Sequence, residues 1–301
     1  MGSQEMFPDS RPRRLQAFPV LWAAAWPLRQ YLLRSPFPRG KGFLIRRVLV
    51  PLLPPPPAMF RASLDSGDRL LLQHRELLGL AYLVYGSFER AEIACLSHHA
   101  APGSFAFDVG AHVGIFAIPL ARAVGSDGTV VALEPVGSNV SRLRQNLLEN
   151  SIQNVVVRQA AAADYVGELR INVASDSAFH SAAEVHRDTE DRVSRKRRAT
   201  LDSTTTPCVT LDRVWADAGE PRVSVMKIDV EGFELRVLAG ATRLIDRCTP
   251  VILAEASTEA HRQRLAEWFA DRNYRCTQPA GFVPWNHLFL PQTSVGAEGQ
   301  M

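Results

Sequence analysis

From Phe105 onward, short apolar runs alternate with amphipathic stretches. FAFDV (105–109), TVVALE (129–134), VVVRQAA (155–161), VSVMKIDV (223–230) and PVILAEA (250–256) are nearly continuous apolar segments of strand length, the pattern of strands covered on both faces. Between them, residues 114–124, SNVSRLRQNLLEN (138–150), residues 233–246 and TEAHRQRLAEWFADR (258–272) space their apolar positions for one buried helical face. ELRINVA (168–174) reads as an additional strand, and YRCTQ (274–278) and HLFLP (287–291) as two short terminal strands. Upstream, LLLQHRELLGLAYLVY (70–85) has helical spacing and leads through GSFERAEIACLSHHA into the first strand. Residues 186–207 have no period and are rich in charge, Ser and Thr. They read as an exposed excursion, with RKRR (195–198) as a solvated loop. Repeated strand–helix units without an internal repeat predict an α/β fold, with a mainly parallel sheet and helices on both faces.

Composition divides the chain near residue 60. Residues 1–60 hold nine Arg/Lys against two acids and 11 of the 20 prolines, leaving a balance of −4 for the rest of a chain whose net charge is +3. This gives a basic, Pro-rich extension over 1–60, a helical lead-in over 61–104, the α/β domain over 105–291 and a flexible tail over 292–301. Prolines 19, 27, 36, 38 and 51 forbid one long helix in the extension. Three roles stay open for it: a helical brace, a peripheral membrane or partner contact through Trp22, Trp26 and the arginines, or a signal segment mimicked by Ala23–Ala25. With 46% hydrophobic and 22% charged residues the composition is ordinary globular. The four cysteines form no CxxC pair, which argues against a zinc or disulfide scaffold and fits a reducing, cytoplasmic setting. No uncharged apolar run approaches the roughly 20 residues that span a bilayer.

Two stretches carry the chemistry. In FAFDVGAHVGIFAIPLA (105–121) a buried strand ends at Asp108, and Gly110 and Gly114 lie in the turn that opens a helix. The spacing is that of a dinucleotide fingerprint, but Asp108 stands where the first glycine would be. A pyrophosphate prefers bare amides there, whereas a carboxylate suits a cationic ligand. The next strand ends at Glu134, placed to accept hydrogen bonds from ribose hydroxyls. A nucleoside with positive charge at its far end meets both demands, and S-adenosyl-L-methionine is such a molecule. In KIDVEGFE (227–234), Lys227 and Asp229 share a strand face and Glu231 follows in the turn. Helix capping and a surface ion pair would explain the same three residues structurally.

DVGAHVG, ALEPV with SNVSRLRQNLLEN, TLDRV (210–214), MKIDVEGFELRVLAGA (226–241) and PVILAEA resemble the FkbM family of S-adenosylmethionine-dependent methyltransferases. The likeness runs over residues 60–291, through GDR (67–69), GSFE (86–89) and WNHLFLP (285–291). It implies a class I, Rossmann-like fold with a seven-stranded doubly wound sheet, and O-methylation of a hydroxyl on a small-molecule or glycan acceptor. Cofactor contacts are expected at Asp108, Gly110, Ala111, His112, Gly114, Glu134, Pro135, Ala162 and Asp164. Catalytic roles are expected for Lys227, Asp229 and Glu231: a carboxylate as base, with Lys227 stabilising the developing alkoxide. His112 stands where members commonly have Asn, and Ala256-Ser257 follow Glu255 where members often carry His.

A nicotinamide-dependent oxidoreductase and a non-catalytic nucleoside-binding partner protein are the alternatives, and Asp108 counts against the first. No metal is expected; a magnesium site at Asp229, Glu231 and Glu255 lacks supporting His or Asn spacing. No nucleic-acid partner is expected. Acceptor specificity should lie in the N-terminal segment, residues 175–207 and the terminal strands.

Overall fold

The computed structural model describes residues 59–74, 76–173, 181–182 and 202–292. Residues 1–58 of the extension, the RKRR run and the tail after Gln292 lie outside the described residues. The chain divides into two units, Met1–Phe88 and Glu89–Met301.

In the first unit, β1 (Met59–Ser63) and β2 (Arg69–Gln73) pair antiparallel, with Ala62 opposite Leu70, and α1 (Leu77–Tyr85) follows. The helix expected over 70–85, within the helical lead-in of 61–104, therefore starts only at Leu77. Leu70 and Leu72 are buried with period two, and pairing with 59–63 outweighs the helical propensity of a leucine run.

The second unit opens with α2 (Arg90–His99) and β3 (Phe105–Val109). It continues through α3 (Ala117–Val124), β4 (Thr129–Leu133), α4 (Gly137–Glu149) and β5 (Val155–Arg158). Then come β6 (Ala161–Ala162), β7 (Gly167–Val173), β8 (Ser181–Ala182) and β9 (Asp202–Val209). The chain returns with α5 (Leu211–Asp217), β10 (Val223–Ile228), α6 (Glu234–Ala239), α7 (Thr242–Cys248) and β11 (Val251–Glu255). It closes with α8 (Glu259–Ala270), β12 (Tyr274–Thr277) and β13 (Asn286–Pro291).

Seven strands form one sheet in the order β12-β13-β11-β10-β3-β4-β5. The pairs β10–β11, β10–β3, β3–β4 and β4–β5 are parallel, and β13 runs antiparallel to both neighbours. The chain winds outward from β3 in both directions, so strand order reverses between β3 and β10. This is the mainly parallel, seven-stranded arrangement of a class I methyltransferase. Phe107, Met226, Ile252 and Phe289 are fully buried along the central strands, and Phe269 of α8 stacks on Phe289 at 4.0 Å.

Three local expectations change. The run 155–161 divides between sheets, because Ala161 and Ala162 pair with Cys208 and Val209 in a second sheet of order β6-β9-β7-β8. The end of the 186–207 excursion is the strand β9, whose residues 202–208 pair with 167–173. The single helix expected over 233–246 is two helices, α6 and α7. Gly240 lies between them: a Cβ there would sit 2.0 Å from the Ala163 carbonyl oxygen. The Asp212 carboxylate accepts from the amides of Arg243 (3.1 Å) and Leu244 (2.8 Å) and so caps the second helix.

Among the described residues no helix is long and apolar enough to cross a membrane. Gly240→Ala should lower stability by roughly 1–3 kcal/mol, since a backbone carbonyl cannot swing aside as a side-chain tip can. Urea unfolding should show a lower midpoint at unchanged slope; an unchanged midpoint would mean that the 163–240 contact is loose.

Candidate active site

The C-terminal ends of β3, β4 and β10 meet where the strand order reverses, the position at which open α/β sheets bind ligands. Lys227 and Asp108 are paired across β10 and β3. Two residues past Asp108, Gly110 (φ 78°) passes so close to the end of β10 that a Cβ would lie 1.8 Å from the Asp229 carbonyl oxygen. The Asp229 amide donates to Val109 O at 3.0 Å, so the two strand exits stay joined beyond the sheet.

The turn after β3 uses its own amides. Gly110 N and Ala111 N both donate to Leu133 O, at 2.9 and 3.0 Å, and Gly114 N donates to Ala111 O at 2.8 Å. His112 adopts a left-handed backbone (φ 49°), and its amide donates to Glu134 Oε2 at 2.9 Å. Glu134 Oε1 accepts from Val136 N at 3.0 Å and Asn139 Nδ2 at 3.2 Å. Burial pushes the Glu134 carboxyl upward, and these donors pull it back. Glu134 therefore holds the glycine turn in place, using about three of its roughly four lone-pair positions.

Beneath this turn sits Lys227, its side chain 7% exposed. Its Nζ donates to Asp229 Oδ2 at 2.9 Å and Gly110 O at 3.3 Å, and lies 5.3 Å from the centre of the Phe116 ring. Asp229, Asp108 and Glu89 hold the ammonium charged against its burial. Asp108 is fully buried, with the Ala117 backbone amide as the donor that favours its charged form. Desolvation raises it to about 6, with Lys227 opposing.

At the rim, carboxylate oxygens of Asp229, Glu231 and Glu255 lie within 4.8 Å of one another. Among the described residues this is the group that could hold a divalent cation. Burial and the neighbouring Asp229 push Glu255 up to about 12, and the two side chains are hydrogen bonded. Glu255 is thus the protonated donor and Asp229, held low by Lys227, the carboxylate acceptor.

The structure brings Asp108, Gly110, Ala111, His112, Gly114 and Glu134 together with Lys227, Asp229 and Glu231 at the strand exits. Pro135 also faces the second sheet, its carbonyl 3.4 Å from Thr206 Oγ1. Ala162 is buried in β6. Asp164 is ion-paired with Arg236 at 2.7 Å. Residue spacing gave no signal for three others: Glu89, Glu255 in its proton-sharing role, and Asn286. Glu89, buried and left-handed (φ 49°), accepts from Asn286 Nδ2 at 2.9 Å and feels both Asp229 and Lys227. Glu89 falls in GSFE and Asn286 in WNHLFLP, but nothing in the sequence joins either to Asp229, 140 and 57 positions away; strand β13 supplies Asn286.

Burial first, and then Asp229, raise Glu89 from 4.5 to about 7. A carboxyl whose pKa rises on folding stabilises the fold fully below its unfolded value and loses that contribution as pH climbs through the folded one. Glu89→Gln, neutral throughout, should therefore gain in Tm over the parent as pH rises from about 4.5 to about 8. A Tm difference independent of pH would remove Glu89 from the buried charge cluster.

The family model described as the methyltransferase FkbM domain matches residues 108–276. The chain is 31% identical over 197 residues to the 31-O-demethyl-FK506 methyltransferase FkbM of Streptomyces tacrolimicus, covering 60% of this chain and 71% of that one. Among solved structures, a methyltransferase FkbM from Methylobacillus flagellatus KT matches with 16% identity and a TM-score of 0.43, covering 70% of this chain and 52% of that one. The chain thus spans about half the length of that structure. A precorrin-6y C5,15-methyltransferase from Geobacter metallireducens matches with 13% identity and a TM-score of 0.40, covering 68% and 90%. On the domain match and the curated relative, the chain belongs to the FkbM family of methyltransferases.

Proposed function

We propose that the chain transfers the methyl group of S-adenosylmethionine to a hydroxyl of a small-molecule or glycan acceptor. Charge imbalance at the strand exits carries the assignment. Asp108, Glu89 and Asp229 all face Lys227, so the carboxylates outnumber the ammonium they surround. A ligand bearing a sulfonium and an ammonium offsets that excess. A nicotinamide dinucleotide would bring a pyrophosphate instead, and the amides of Gly110, Ala111 and His112 already have protein acceptors.

Bound S-adenosylmethionine would supply an electrophilic methyl on sulfur. Glu134 would hold the ribose, and the Gly110 turn would let the donor approach the backbone. The chain's own part is to align the acceptor oxygen and take its proton as the O–C bond forms and the C–S bond breaks. Asp229, bonded to Lys227 and Glu255, is a weak base fixed in orientation. Glu231, partly exposed in the turn, is better placed to receive the proton. Lys227 is tied to Gly110 and Asp229, so its contribution is to fix the Asp229 carboxylate and the field around it.

Isothermal titration should show S-adenosylmethionine and its demethylated product binding, with NAD inert; the reverse pattern would sink the assignment. Glu134→Ala should weaken donor binding by about 1–3 kcal/mol, through the lost hydroxyl acceptor and a loosened His112 turn. Extracts incubated with isotopically labelled donor would identify the acceptor by mass spectrometry. With it, Glu231→Gln should slow single-turnover transfer by about 10²–10⁴ while donor affinity holds. Unchanged transfer in Glu231→Gln and Asp229→Asn alike would make the acidic cluster structural. Dialysis against a chelator should leave transfer unchanged, whereas loss that magnesium restores would place a metal at Asp229, Glu231 and Glu255.

A further inference from the structure

A buried carboxylate outside the roles assigned above holds the acidic turn from behind. Glu234, at the start of α6, is 0% exposed. Its Oε1 accepts from the amides of Val230 and Gly232, each at 3.1 Å. Those two amides flank Glu231. Glu231 has a left-handed backbone (φ 55°), followed by Gly232 at φ 95°, and non-glycine residues take that conformation only where their surroundings hold it. One carboxylate oxygen bonded to both sides of the turn does so.

The other oxygen faces α8. Glu234 Oε2 lies 3.3 Å from His261 Nε2. The first turn of α8 is fixed in its place by Thr258, whose hydroxyl accepts from His261 N at 3.1 Å. Asp229 and Glu255 are the other titratable groups whose charge interacts with Glu234, and Arg264 faces His261. The turn thereby meets a helix remote in sequence from the KIDVEG segment, through a 3.3 Å approach of two side chains that is not a hydrogen bond.

We propose that Glu234 is a positioning residue for methyl transfer: it clamps the left-handed turn so that Glu231 stands beside Asp229 at the strand exit, and His261 anchors the clamp to α8. The proposal rests on the role assigned to Glu231 above. A mere helix-starting role for Glu234 would affect global stability and leave the turn's own amides as protected as the rest.

Amide hydrogen exchange read residue by residue by NMR on the full chain tests this without an acceptor. In Glu234→Ala, Val230 and Gly232 should exchange about 10–100-fold faster while Met226 in β10 stays protected. Glu234→Gln keeps an oxygen for both amides and should restore protection to within a few-fold of the parent. His261→Ala should give an intermediate loosening. Should Glu234→Ala fail to fold, Glu234→Asp, one methylene too short to reach both amides, carries the same expectation. Parent-like protection of Val230 and Gly232 in Glu234→Ala or Glu234→Asp would overturn the proposal, as would loss of protection spread evenly over β10. If the two amides loosen but transfer by Glu231→Gln remains parental, the clamp stands and the catalytic assignment of Glu231 falls.

Discussion

One ammonium under a glycine turn organises the strand exits. Lys227 cannot reach bulk water, so it persists as a cation only because Asp229 bonds it directly and Asp108 and Glu89 surround it. Its bond to Gly110 O ties the β3 turn to β10, and the close approach of Gly110 to the Asp229 carbonyl leaves no room for a side chain between them. The carboxylates, for their part, stay charged only near that ammonium. Asp108 is fully buried, and Lys227, ahead of the Ala117 amide, is the largest influence that favours its charge. Removing the Lys227 charge would leave several buried acids to neutralise themselves by taking up protons, and the geometry of both turns would relax with them.

The mainly parallel sheet with helices on both faces was legible because it follows from patterns with a physical period. Apolar runs of strand length alternate with amphipathic helices, which is enough to predict a mainly parallel sheet, and Asp108, Glu134 and Asp229 come at the ends of those runs. What could not be read was pairing at a distance. Leu70 and Leu72 fit a helix as well as a strand until 59–63 is known to lie beside them. Residues 202–209 carry Thr and Ser in a tract without period, and become a strand through pairing with 167–173. The break between α6 and α7 depends on a carbonyl at Ala163 and a carboxylate at Asp212, neither of which is local to the helix. Likewise Glu134 reads as a ribose ligand from its position alone, whereas its bonds to His112 and Val136 give it a second, structural role.

The family departure after β11 has a structural counterpart. Ala256, the first of the two residues that follow Glu255, is buried and its amide donates to Trp285 O at 2.7 Å. The neighbouring Glu255 instead supplies the proton that Asp229 shares. Across the strand pair, Asn286 stands opposite Glu255 and bonds Glu89. The terminal antiparallel strand thus brings a neutral donor beside the acidic strand exit.

The second sheet connects the two halves of the site. Val136, next to the Glu134 loop, and Phe233, just after the acidic turn, are buried in one apolar cluster with Leu169, Ile171 and Cys208 of β7 and β9. Thr206 reaches the Pro135 carbonyl, and Asp164 grips Arg236 of α6. An insertion that touches both the donor-side loop and the base-side turn cannot shift without moving one against the other. A change in side-chain volume along β7 or β9 would therefore be felt at Val136 and Phe233 together.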